Sequence, residues 1–246
     1  MENTNIKAVI LAAGKGTRLQ TEGSTLPKVM RLAAGKPLLG HVLTALDFIP
    51  AKDCVIVVGY QKESVMEAFP NYVFAEQTQQ LGTGHAVMAA FSKLEGYSGS
   101  LLICCGDMPL IKRETYLALI AAHKASDNDC TILSGSSDLD LPYGRILRDG
   151  NGNFVGMVEE KDATAEQKKI RELNSGVYVF NAELLRGVLS ELKSDNAQGE
   201  YYLTDAPLLL QKHGHKVGVC FRELGCEIIG VNTLEQLKQT EELLLK

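Results

Sequence analysis

Apolar residues in this chain arrive in short unbroken runs, separated by stretches with helical spacing. AVILAA at 8–13, VIVVG at 55–59, YVFAE at 72–76 and LLICCG at 101–106 are such runs. An unbroken run reads as a strand buried on both faces, whereas a strand with one wet face alternates. Between these runs, positions at about 37–48, 62–69, 83–93 and 112–124 space their apolar residues as helices do. Strand and helix in alternation predict a mainly parallel sheet with helices on both faces and right-handed connections.

After residue 125 the rhythm changes. CTILSGSS (130–137), GRILRD (144–149) and NFVGMVEEKD (153–162) read as strands joined by Gly, Asn and Asp turns, and DGNG at 149–152 is a hairpin signal. These segments predict an antiparallel insertion folded against the sheet edge. A strand at 173–180, helices near 181–190 and 203–213, a strand at 216–222 and a last strand at 227–230 follow. TLEQLKQTEELLLK at 233–246 is an amphipathic helix capped by Asn232 or Thr233. The chain therefore reads as α/β: a Rossmann-like, mainly parallel mixed sheet flanked by helices, with a small antiparallel β insertion. One domain is expected over 1–232 and a C-terminal helix over 233–246, with no internal repeat or low-complexity linker.

Composition narrows the class. With 246 residues, 45% hydrophobic and 22% charged, the chain can bury a sizeable core, and no apolar run approaches the roughly 20 residues of a membrane span. Net charge is −5, yet residues 1–36 carry six basic groups (Lys7, Lys15, Arg18, Lys28, Arg31, Lys36) against two acidic ones (Glu2, Glu22). An acidic protein with a basic head is not expected to coat nucleic acid or membranes, but it can hold a small polyanion locally. MENTNIK at the N-terminus has no signal-segment pattern, which predicts a cytoplasmic protein. The six cysteines lack C-x-x-C spacing and read as reduced packing residues.

The segment richest in chemistry is LAAGKGTRLQ at 11–20. A buried strand ending in a loop with Gly14 and Gly16 brings backbone N–H groups to the carboxyl edge of the sheet, where open α/β sheets bind ligands. Ala12, Ala13 and Gly14 allow a flat base or a phosphate to approach, and Lys15 and Arg18 add charge. The spacing does not fit the P-loop pattern, and Leu19 stands where a dinucleotide fingerprint needs its third glycine.

Together with Leu26-Pro27-Lys28, this segment resembles the signature of sugar-1-phosphate nucleotidyltransferases, and within them the pyrophosphorylase domain of the bacterial bifunctional N-acetylglucosamine-1-phosphate uridyltransferases. Further blocks carry the resemblance in order along the chain: 77–86 (QTQQLGTGHA), 106–110 (GDMPL), 143–145 (YGR), 158–164 (VEEKDAT), 173–176 (LNSG), 196–205 (NAQGEYYLTD) and 230–232 (GVN). The resemblance implies the nucleotide-diphospho-sugar transferase fold. It also implies transfer of UMP from UTP to N-acetylglucosamine 1-phosphate, giving UDP-N-acetylglucosamine and pyrophosphate. The sugar phosphate is then the nucleophile, and the protein mainly aligns two polyanions and neutralises them. By resemblance Arg18 and Lys28 are catalytic, gripping the triphosphate as pyrophosphate leaves. Leu11, Ala13, Gly14, Lys15, Gln77, Gln80, Gly82 and Thr83 bind the nucleotide, with the N-terminus of the Thr83 helix facing it. Gly144, Glu159, Lys161 and Asn174 bind the sugar phosphate, Tyr143 flanking. Asp107 and Asn232 ligate Mg²⁺, a cation suited to few protein oxygens. His85 reads as packing or as support for other site residues.

Departures from the family pattern qualify these expectations. The loop from Arg18 to Lys28 is longer than in relatives, Cys105 stands where the bifunctional enzymes often carry Tyr, and Ser175 replaces a usual Thr. The hexapeptide-repeat β-helix of the bifunctional enzymes lies outside these 246 residues, so its acetyltransferase activity and trimer contacts are not expected here. Another hexose 1-phosphate as substrate, or a non-catalytic sugar-nucleotide-binding protein, are the alternatives.

Overall fold

A computed structural model describes residues 6–16, 19, 26–136 and 141–246. In chain order its elements are β1 (Ile6–Leu11), β2 (Leu32–Ala33), β3 (Lys36–Pro37), α1 (Leu38–Ala45), β4 (Cys54–Val58), α2 (Lys62–Ala68), β5 (Val73–Glu76), α3 (Thr83–Ala90), β6 (Ser100–Cys105), α4 (Arg113–Ala125), β7 (Cys130–Ser136), β8 (Arg145–Arg148), β9 (Phe154–Val158), β10 (Leu173–Asn181), α5 (Ala182–Leu189), α6 (Ala206–Lys212), β11 (Val217–Glu223) and α7 (Leu234–Leu244). The main sheet runs β11-β7-β10-β6-β1-β4-β5. Pairs β1/β4, β1/β6, β4/β5 and β7/β11 are parallel, and β10 is antiparallel to both β6 and β7.

Strand residues alternate between two cores because successive side chains leave opposite faces. Ala8 and Ile10 of β1 join Ile56, Leu102, Tyr116 and Leu119 on one face. Val9 joins Val57, Ile103, Val87, Phe180 and Leu185 on the other. A third, smaller cluster gathers Leu19, Ala33, Leu38 and Val231, with Leu237 and Leu244 of α7 packed on it.

Three features differ from the pattern reading. Of the 130–137 run, residues 130–136 are β7, a strand deep in the main sheet and no part of an insertion. All but its last residue are buried, so it needs neighbours on both sides and finds β10 and β11. The insertion is only the β8–β9 hairpin, and it meets the start of β10 at Arg145↔Leu173 instead of an outer strand. The expected strand at 227–230 is a single 3₁₀ turn over Gly225–Ile228. Backbone groups beyond that turn are taken elsewhere: the Gly230 N–H donates to the Tyr143 hydroxyl at 2.6 Å, and the Val231 N–H to the Asp107 carbonyl at 2.9 Å.

Parallel β1, β4, β5 and β6 all end on one edge, which gathers residues 12–16, 59, 77 and 106–107 there. Because β10 runs the other way, its first residues lie at the same edge. A bulge between Asn174 and Val177, with Gly176 at φ +74°, takes Ser175 and Gly176 out of the ladder at that edge, while Asn174 stays paired with Ser134.

Candidate active site

Two adjoining hollows open at this edge. Leu11, Thr83, Cys105 and Asp107 line both and form the shared wall. The first hollow adds Ala13, Gly14, Lys28, Gln77, Gln80 and Gly82; the second adds Tyr143, Gly144, Glu159, Asn174, Thr204 and Asn232. The residues expected to hold a nucleotide and a sugar phosphate thus sort into separate, touching spaces. Two expected residues do not join them. Lys15 is exposed and lines neither space, and Lys161 points away, its Nζ donating to Gln198 Oε1 at 2.7 Å. Lys161 sits in a turn closed by Asp162 N–H on the Glu159 carbonyl, because β9 ends at Val158 and not, as expected, after the charged run. Arg18 lies outside the described residues.

Where the hollows meet, Lys28 donates from Nζ to Asp107 Oδ2 and, at 2.9 Å, to Asn232 Oδ1. Lys28 reaches this point because Gly16, at φ +61°, lets the loop lie against it; a Cβ at position 16 would come within 2.5 Å of Lys28 Cβ. The loop is also anchored from outside. Arg31 donates to the Leu19 carbonyl at 2.7 Å, a role the sequence did not disclose because Arg31 stands outside every motif block.

The cap of α7 is Thr233, whose hydroxyl accepts from Gln236 N while the Gln236 side chain accepts from the backbone of Asn232 and Thr233. That arrangement releases the Asn232 side chain from capping and leaves its oxygen for Lys28. One carboxylate and one amide oxygen thus converge on a single cation position, which is the donor set a Mg²⁺ or similar hard cation takes from protein. Asp107 and Asn232 therefore fit a divalent metal. Among the described residues no group of three His, Cys, Asp or Glu forms a denser site.

A strap over 196–205 crosses both hollows. Beside the first hollow the Tyr201 N–H donates to the Leu81 carbonyl and the Gly84 N–H to the Tyr201 carbonyl, both at 2.8 Å. Thr83 Oγ1 accepts from Leu203 N–H at 3.0 Å. The first amides of α3 were expected to face the nucleotide; instead this carbonyl takes that of Gly84. Beside the second hollow Thr204 donates to Glu159 Oε1 at 2.9 Å. Burial raises the Glu159 carboxyl above its ordinary range, with the Thr204 hydrogen bond opposing. Asn174 is fixed at both ends of its amide, donating to Tyr178 OH at 2.7 Å and accepting from Gly176 N at 3.1 Å.

Cysteines divide by position. All six are free; Cys54, Cys104 and Cys130 are buried as packing residues, while Cys226 is exposed and Cys105 faces both hollows. Burial pushes the Cys105 thiol up to about 12, reinforced by Asp107 and opposed by Lys28. It is a neutral wall and not a nucleophile.

This edge, with its glycine loop, cation-bound carboxylate and paired hollows, is that of a nucleotidyltransferase. The model of the MobA-like NTP transferase domain matches residues 8–212, and the chain belongs to that family. It is 46% identical over 240 residues to the bifunctional protein GlmU of Caldanaerobacter subterraneus subsp. tengcongensis, covering 96% of this chain and 51% of the relative. To the bifunctional protein GlmU of Alkaliphilus metalliredigens it is 41% identical over 240 residues, covering 97% and 52%. The resemblance read from the motif blocks is thereby borne out, and the chain spans about half the length of these curated relatives. Among solved structures, a putative glucose-1-phosphate thymidylyltransferase from Bacillus anthracis superimposes with TM-score 0.72 at 18% identity, covering 97% of this chain and 94% of that one. The inositol-1-phosphate CTP transferase from T. maritima gives 0.71 at 18%, covering 98% and 95%. These two establish the fold. None of the described helices is long and apolar enough to cross a membrane.

Proposed function

We propose that the chain transfers UMP from UTP to N-acetylglucosamine 1-phosphate, releasing pyrophosphate and forming UDP-N-acetylglucosamine. The observation that carries this reading is Lys28 Nζ held between Asp107 and Asn232 at the wall common to both hollows. A cationic point on the wall between two adjoining spaces suits the α-phosphate that would lie between nucleoside and sugar. Kinship with the GlmU relatives selects the two substrates.

A phosphate oxygen of the sugar phosphate attacks the α-phosphorus of UTP, and the Pα–O bond to pyrophosphate breaks, its electron pair leaving with pyrophosphate. Lys28, together with Arg18, neutralises charge gathering on the pentavalent phosphorus. Gln77, Gln80 and Gly82 hold the base, while Glu159 and Asn174 hold sugar hydroxyl and N-acetyl groups. Gly144, behind them, admits the sugar because it lacks a side chain. Asp107 and Asn232 hold Mg²⁺, which when bound supplies further charge neutralisation on the phosphates. The six free thiols suit a reducing cytoplasm.

The test is pyrophosphate release with UTP, CTP or dTTP against N-acetylglucosamine 1-phosphate or glucose 1-phosphate, with and without Mg²⁺. Turnover is expected with UTP, N-acetylglucosamine 1-phosphate and Mg²⁺. No turnover with any pair sinks the enzymatic reading, and equal use of both sugars sinks the N-acetyl selectivity. Replacing Arg18 with alanine should lower turnover by about two orders of magnitude.

A further inference from the structure

The side chain of Gln77 is committed at one end. Its Nε2 lies 3.0 Å from the Gly82 carbonyl oxygen and 3.1 Å from His85 Nδ1. A carbonyl oxygen only accepts, so the Gln77 atom facing it is the amide nitrogen, and the second hydrogen of that nitrogen meets the imidazole. Nδ1 must then be the bare ring nitrogen, with the proton of the neutral ring on Nε2. Gln77 is 4% exposed and lines the nucleotide hollow. What remains to it for a ligand is Oε1, which accepts no hydrogen bond from a described residue.

We propose that His85 is a specificity-positioning residue, locking the Gln77 amide so that it offers the nucleobase an acceptor and no donor. The proposal rests on the uridylyl-transfer reading above. Uracil carries an N–H donor at N3, where cytosine carries a bare acceptor nitrogen. Gln77 Oε1 satisfies the first and repels the second. Turning the amide to suit cytosine would break both of its internal hydrogen bonds and set an oxygen against the Gly82 carbonyl and the bare Nδ1. Without His85 the turned amide sacrifices one bond instead of two. Gln80 cannot substitute: its Nε2 makes a single bond of 3.3 Å, to the Gln77 carbonyl, and the residue is exposed.

The deciding experiment measures kcat/KM with UTP and with CTP, at saturating N-acetylglucosamine 1-phosphate, for the wild type, His85→Leu, His85→Ala and His85→Asn. Loss of one hydrogen bond should lower the UTP:CTP ratio by about five- to tenfold in the Leu and Ala variants, mainly through KM. Asn, whose side-chain oxygen can accept from Gln77 near the Nδ1 position, should restore most of the ratio. If His85 merely packs, both nucleotides lose equally and the ratio stands, which overturns the proposal while leaving uridylyl transfer intact. A wild type with no preference for UTP overturns both. Should the truncated variants fail to fold, ¹⁵N spectra of the wild-type imidazole decide: a protonated Nδ1 at His85 overturns the locked amide, and a protonated Nε2 with bare Nδ1 upholds it.

Discussion

Single side chains at this edge hold opposed duties, and Glu159 is the clearest. Its carboxyl is raised by burial, so the native protein binds that proton more tightly than the unfolded chain does. Stability is then lost as pH rises from the ordinary carboxylate range through the raised value. Asp205, also raised by burial, acts in the same direction. Glu159→Gln should therefore melt a few degrees higher than the wild type at pH 7–8, on the order of 1 kcal/mol for a chain this size. The gain should vanish below the ordinary carboxylate range, and KM for the sugar phosphate should rise. Calorimetry across pH alongside steady-state kinetics checks both halves. Lys28 invites a different test. Its ammonium stands on the oxygens of Asp107 and Asn232, so Lys28→Met should lower turnover by about a hundredfold. The same change should tighten Mn²⁺ binding to the nucleotide-free protein, read by electron paramagnetic resonance, because no internal cation competes. Unchanged Mn²⁺ affinity would show that Lys28 does not hold the metal position.

At the scale of elements, two short stretches govern the site without containing its chemistry. The strap over 196–205 approaches α3 so closely that a Cβ on Gly82, whose φ is +107°, would lie 2.6 Å from the Tyr201 carbonyl oxygen. Gly82→Ala combines that collision with a backbone conformation that costs about 1–3 kcal/mol for other residues. It should lower the melting temperature by several degrees and raise KM for both substrates, since the strap touches both hollows. A rise for UTP alone would mean that the strap does not couple them. The capping box of α7 makes a milder case. Thr233→Ala should cost about 1 kcal/mol, and by loosening Gln236 should also weaken divalent-metal affinity through Asn232. Elements with a strong local signal were legible in the sequence: the unbroken strands β1, β4 and β6, and amphipathic α7. Those decided by tertiary neighbours were not. Residues 227–230 look like a strand because Ile228 and Ile229 are apolar, but their burial comes from plugging the core, and the backbone nearby is claimed by Tyr143 and Asp107. The paired strands β2 and β3 are two residues each, too short for any period to declare itself.

For the molecule as a whole, the basic head proves to be spread over several duties. Lys28 reaches the site, and Arg31 anchors the loop. Lys7 lies over the Tyr97 ring at 4.9 Å, and Lys36 donates to the Thr44 hydroxyl. The charge count pointed to a polyanion but could not say which cations would face it, because that depends on loop paths that begin and end far apart in sequence. The motif blocks drew attention to Gln77, Glu159, Asn174 and Asp107, each of which follows or begins a strand and lines one of the two hollows. Lys161, also in a motif block, instead bonds Gln198 across a turn, because a charged residue in a turn is free to face solvent. The C-terminal helix closes the circuit: Leu237 and Leu244 pack on the cluster holding Leu19, and Glu241 accepts from the Ala34 N–H at 3.0 Å. We propose that α7 functions as part of the domain. Leu237→Ala should then raise KM for UTP as well as lower the melting temperature, and a purely thermal effect would refute it. The strap carries a consequence for descent. On the proposed reading, a lineage drifting toward a new sugar alters the neighbourhood of Thr204, one residue from Leu203 and its bond to Thr83. Homologues that exchange one substrate are therefore expected to carry changes along the same ten residues, 196–205.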